Sequence, residues 1–144
     1  MDIDFENLSI RCAINEPGNI SGTVDAVEKL SSEYDEESLV KIYNYFIVTC
    51  RQPEKLAEII RFEDKIRSKD SLSPLIDVLL GKTLAYDDFD KDDCINVRVM
   101  AAKAIANLKD TSAVNALLYC LNNKKENYKI RFACADALGK IGDK

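Results

Sequence analysis

The sequence contains no histidine and no tryptophan. The missing histidine excludes Ser-His-Asp and Cys-His catalysis, imidazole general bases, Cys2His2 zinc and the imidazole pH switch together. Only five glycines and three prolines occur in 144 residues, and they stand between periodic apolar segments. They therefore punctuate helices and do not build turn-rich β structure. No apolar run approaches the roughly 18 residues of a membrane span. The opening Met-Asp-Ile-Asp is no basic signal start, so neither a membrane segment nor secretion is expected. The cysteines Cys12, Cys50, Cys94, Cys120 and Cys134 are odd in number and never spaced as C-x-x-C, which suggests neither a disulfide framework nor a zinc site. No phosphate-binding loop, dinucleotide fingerprint or H-E-x-x-H is present, so no cofactor is expected. These absences describe a non-enzymatic protein of a reducing, cytoplasmic setting.

What is present is charge and helical periodicity. Net charge is −5 and the pI about 4.8. That disfavours nucleic acid as a partner and favours a basic protein. The charge is segregated: residues 1–93 hold 21 acidic and 11 basic side chains, residues 94–144 hold 4 and 9. A basic partner suits the first part, and the basic end offers a counterpart for self-association.

The periodicity predicts eight helices. Leu39, Tyr43, Phe46, Ile47 and Cys50 fall on one stripe of the third. Pro53 starts the fourth, with Leu56, Ile59 and Ile60 inside. Ser73 and Pro74 are expected to cap and start a fifth, and Ser112 to cap a seventh. Helices over about 97–108 and 129–141 complete the set, with Gly142 as a stop signal. The expected fold is all-α.

An internal repeat refines that expectation. Residues 97–110, VRVMAAKAIANLKD, align without gaps on 130–143, IRFACADALGKIGD, 33 residues on. Arg98 meets Arg131, Ala102 meets Ala135, Ala104 meets Ala137 and Asp110 meets Asp143. Ser112, Val114, Leu117 and Leu118 likewise follow Ser73, Leu75, Val78 and Leu79. These residues resemble the HEAT-like repeat in its phycobiliprotein-lyase-type form, a V-R-x-x-A-A-x-A-L-G-x-I-G-D helix beside a S-A-V-x-x-L-x-x-x-L helix. The resemblance implies a short right-handed α-solenoid of about four helix pairs, formed by residues 1–144 as one domain and clearest over 73–143. It also implies that Arg98, Asp110, Arg131 and Asp143 form a structural ladder tying adjacent repeats, with alanines allowing close helix approach. At Ala106-Asn107-Leu108-Lys109 the family's glycines are absent, so a less sharp turn is expected there.

Two surfaces are candidates for binding. The acidic loop Asp87, Asp88, Asp90, Asp92 and Asp93 places carboxylates at the first, third and fifth positions of a calcium-loop pattern. Asp93 stands where that loop needs glycine and Val99 where it needs a bidentate glutamate, so a steering patch for a basic partner is the better reading and no metal is expected. The resemblance implies that the third, fifth and seventh helices line a concave face. Lys41, Asn44, Tyr45, Asp77, Asn115, Tyr119 and Asn122 lie opposite their core stripes, with Tyr45 and Tyr119 as anchors. The expected function is a protein-interaction module, most concretely an acidic immunity or inhibitor protein that blocks a basic nuclease-type toxin. A phycobiliprotein lyase or chaperone subunit, or a piece of a larger HEAT scaffold, is the alternative implied by the resemblance.

Overall fold

Local side-chain chemistry sets where the helices begin. Asp4 accepts a hydrogen bond from the Asn7 N–H (3.0 Å) at the start of α1, Phe5–Arg11, and Asp35 does the same for Ser38 (2.8 Å) at the start of α3, Glu36–Thr49. Between them α2 spans Ile20–Glu33. Pro53 occupies the first turn of α4, Pro53–Ile66, where its missing N–H costs nothing. The computed structural model describes residues 2–83 and 91–142, and continues through α5 (Leu72–Leu79), α6 (Lys91–Leu108), α7 (Val114–Asn122) and α8 (Tyr128–Gly142). Short 3-10 turns at Lys69–Ser71 and Thr111–Ala113 lead into α5 and α7, and no strand occurs among the described residues.

The expected starts of α5 and α7 move accordingly. Pro74 sits inside the first turn of α5, and Ser68 caps the preceding 3-10 turn by accepting from the Asp70 N–H (3.2 Å). Ahead of α7, Asp110 caps the 3-10 turn by accepting from the Ser112 N–H (2.9 Å). That bond holds the Asp110 carboxyl below its usual value. Ser112 therefore receives the cap it was expected to provide. Gly142 ends α8 from within. At the glycine-poor turn after α6, Lys109 takes the left-handed conformation (φ 52) and turns the chain sharply without glycine.

The helices stack as a short α-solenoid. α6 is its centre, packed on α4, α5 and α8, while α7 packs on α8 and α3 packs on α4 and α5. α6 packs extensively on α8, and the buried residues of the two helices include Ala101, Ala102, Ala104, Ala133 and Ala137. Without side-chain bulk, two helix backbones can approach closely. The N-terminal helices fill their interior with larger groups, among them Ile42, Phe46, Ile47, Leu56, Ile59 and Ile60. One continuous apolar cluster runs from Leu8 on α1 to Ala137 on α8. All five cysteines are buried within the protein.

Candidate protein-interaction surface

Asp92 and Asp93 do not belong to a connector. They form the first turn of α6, where the helix dipole favours carboxylates. Asp87, Asp88 and Asp90 lie outside the described residues. Asp93 faces a groove of about 310 Å³ between α4 and α6, where it joins Glu54, Glu58, Arg61 and Met100. Glu58 is paired with Arg61 one turn along the same helix (3.0 Å), and that exposed pair neutralises one of the three acids only in part. Two carboxylates on α4 thus meet one on α6, from positions 35 or more residues apart in sequence.

The residues expected on the α3, α5 and α7 surface divide into two groups. Lys41, Asn115, Asn122 and Tyr119 are exposed, Tyr119 at 67%. Asp77 is half-buried. Asn44 is occupied within the protein: its amide donates to the Asp70 carbonyl (3.1 Å) and its oxygen accepts from the Ser71 hydroxyl (2.8 Å). Tyr45 stacks on Phe5 of α1 with ring centroids 5.3 Å apart. The two tyrosines are not brought together as equivalent anchors, because α1 packs on α3 and supplies the ring that meets Tyr45.

The repeat ladder exists with different partners from those expected. The Arg98 Nε donates to the Leu79 carbonyl (2.8 Å), at the C-terminus of α5. Both of its terminal nitrogens bond the Glu126 carboxylate, one at 3.0 Å. Burial opposes ionisation of Glu126, but Arg98 and the Asn127 N–H together hold its carboxyl below the usual range. Arg131 repeats the first half of this device by donating its Nε to the Leu121 carbonyl (3.0 Å) near the end of α7. Each guanidinium thus meets an orphan carbonyl at the negative end of the preceding helix. Asp110 is a helix cap and not the acidic partner of either arginine; Asp143 lies outside the described residues. Glu126 was discoverable, since it stands 33 residues after Asp93 in the repeat frame.

Residues 88–144 match the family model for HEAT repeats. No curated protein and no solved structure matches the chain. The matched stretch covers α6, α7 and α8, together with the Arg98, Glu126 and Arg131 contacts. HEAT repeats generally mediate protein–protein interactions and are typically non-enzymatic scaffolds.

Two buried ionisable groups also escaped the pattern reading. Lys55 is 1% exposed, and its ammonium donates to the carbonyls of Ala13 (2.7 Å) and Glu16 (2.5 Å), fastening the turn between α1 and α2. Glu63 is fully buried with neither oxygen hydrogen-bonded, because the neighbouring Ser71 hydroxyl is committed to Asn44. Burial pushes its carboxyl up to about 7. Its signal was present in the sequence: Glu63 continues the Leu56, Ile59, Ile60 stripe at the next helical turn. Burial likewise pushes the Cys50 thiol up to about 11. A hydrogen bond to Cys120 together with burial raises that of Cys134. No described helix is long and apolar enough to cross a membrane.

Proposed function

We propose that this protein binds a basic protein through the acidic surface that α4 and α6 share, and that its most concrete role is that of an immunity or inhibitor protein occluding the cleft of a basic nuclease-type toxin. The observation that supports this reading best is the convergence of Glu54, Glu58 and Asp93 on one groove. A partner's lysine or arginine entering there meets carboxylates where a nuclease would hold phosphates. Asp87, Asp88 and Asp90 extend the same acidic sequence, and the net charge of residues 1–93 speeds encounter with a cationic partner. The exposed Tyr119 is a second contact on the α7 side, with the exposed Asn115 and Asn122 of the same helix beside it, and the exposed Lys41 is a further polar contact on α3.

The test is affinity capture from host lysate at physiological salt, using the native chain and a Glu54→Gln, Glu58→Gln, Asp93→Asn variant, followed by nuclease assays on whatever is captured. A basic nuclease held by the native chain, inhibited by it, and released by the triple substitution supports the proposal. Capture of the same proteins by both forms removes the acidic groove from the interaction. Capture of a basic protein without nuclease activity retains the binding role and removes the inhibitor role.

A further inference from the structure

A second groove, between α6 and α8, adjoins the acidic one through Asn96 of α6 but is lined by different charged and aromatic residues. It encloses about 460 Å³ between Val99 and Lys103 on one side and Tyr128, Lys129, Phe132 and Asp136 on the other. Tyr128 and Phe132 are one helical turn apart on α8 and are 73% and 75% exposed. Two aromatic rings left in water beside an apolar cavity form a patch that association would cover. Lys103 and Lys129 outnumber the single carboxylate of Asp136, within a segment that carries nine basic and four acidic side chains. The fitting occupant is an apolar side chain with acidic neighbours.

The chain itself presents that chemistry on its first helix. Ile10 is 69% exposed on α1. Glu6 lies one turn before it on the same face, and Asp2 and Asp4 are exposed just ahead. Ile10 contributes little to the interior, because α1 is anchored by buried Leu8 and by the Phe5–Tyr45 stack. Nearby Arg11 does not cancel the acidity, being paired with Glu33 (2.5 Å). Among the described residues, the other exposed large apolar side chains outside the groove lack this setting: Leu118 and Tyr119 belong to the basic segment, and Val48 precedes Arg51.

We propose that the α6–α8 groove receives α1 of a second copy of this chain, with Ile10 between Tyr128 and Phe132 and Glu6 facing Lys103 and Lys129. The two copies contribute different surfaces, so the contact is head-to-tail and leaves a vacant groove on one copy and a vacant α1 on the other. One short helix covers much less than the roughly 1,600 Å² of a standard stable interface. The association is therefore weak, concentration-dependent and reduced by salt.

Sedimentation equilibrium on the full chain tests this directly. The expected result is a weight-average mass that rises above 16.2 kDa with concentration at low salt and returns towards it at high salt. Ile10→Ser and Phe132→Ser each leave a monomer when studied alone. An equimolar mixture of the two variants gives a species of twice the monomer mass and nothing larger, since one intact groove meets one intact α1. Both sites are exposed, and matching thermal melts by circular dichroism establish that the variants fold. Glu6→Lys and Lys129→Glu weaken association singly, and mixing these two variants restores it. A native chain that stays at 16.2 kDa at all concentrations overturns the proposal. Association that survives Ile10→Ser but is lost with Phe132→Ser also overturns it, by showing a groove-to-groove contact. So does a monomer whose groove binds only a foreign acidic amphipathic peptide.

Discussion

The N-terminal helices α1–α4 and the C-terminal helices α6–α8 bury their surface in different ways. In α6 and α8 half of the buried positions are alanine, and arginines bond to the ends of the neighbouring helices. In α1–α4 the interior is large aliphatic and aromatic groups, and the turn between α1 and α2 is held by one buried ammonium. The difference teaches what a repeat consensus encodes. Small residues at fixed spacing and a charged side chain at a helix end can be copied from one helix pair to the next. An ammonium serving two particular carbonyls cannot, because it depends on one loop. The recognisable repeat therefore ends where the alanines do.

Volume changes break the comparison most strongly, and with opposite sign. Ile60→Ala is expected to lose about 4 kcal/mol, through lost burial and a cavity among large neighbours. In the alanine-lined part the damaging change is growth, so Ala102→Leu is expected to lose about 3 kcal/mol by overpacking, at the strong end of such effects. Urea unfolding of both variants measures the contrast. Equal tolerance of Ala102→Leu and a surface control would show that α6 has room to spare.

The next effect belongs to the N-terminal part alone. Glu63 is fully buried, and its carboxyl is raised to about 7 from an ordinary value of 4.5. The folded state therefore holds the proton more tightly than the unfolded chain. This contribution is fully present below about pH 4.5, and it is lost as pH rises through about 7. The loss amounts to roughly 3 kcal/mol at 1.36 kcal/mol per pH unit. Glu63→Gln removes that dependence, so the stability of the variant relative to the native chain should rise by about 3 kcal/mol between pH 4.5 and 8. A constant difference across that range would mean that the carboxyl finds a partner in solution.

The ladder sharpens the comparison within the repeats. Arg98 and Glu126 are only 16% and 15% exposed, so Arg98→Ala strands a largely buried carboxylate and is expected to cost about 3 kcal/mol. Arg131→Ala removes one bond to the Leu121 carbonyl and should cost about 1 kcal/mol. Denaturant midpoints for both variants and for Glu126→Gln rank them. The smallest expected effect is a gain: Lys109→Gly relieves the left-handed backbone at φ 52 and should add about 0.5 kcal/mol, read as a small rise in Tm.

Helix identity was readable because capping and periodicity are local. Leu39, Tyr43, Phe46 and Ile47 lie buried on the stripe expected of them. The starts of α5 and α7 shifted because a 3-10 turn precedes each, and a tighter turn leaves no separate hydrophobic signature. Of the candidate surface, Asp93 and Tyr119 were legible as exposed or half-exposed polar groups, whereas their companions Glu54 and Glu58 were not. Those two become neighbours of Asp93 only through the packing of α4 on α6.

The sequence by itself determined the eight helices found among the described residues and the 33-residue repeat, because both are patterns of residue type against position along one chain. Only the tertiary structure decided the fate of equivalent residues. Ala102 and Ala135 occupy the same repeat position, yet Ala102 is buried on α6, which lies between α4 and α8, while Ala135 is exposed on α8. Tyr45 and Tyr119 are chemically identical, yet one stacks beneath α1 and the other faces solvent. Burial depends on which neighbour arrives from elsewhere in the chain, and that information resides in the packing of the helices, not within any one of them.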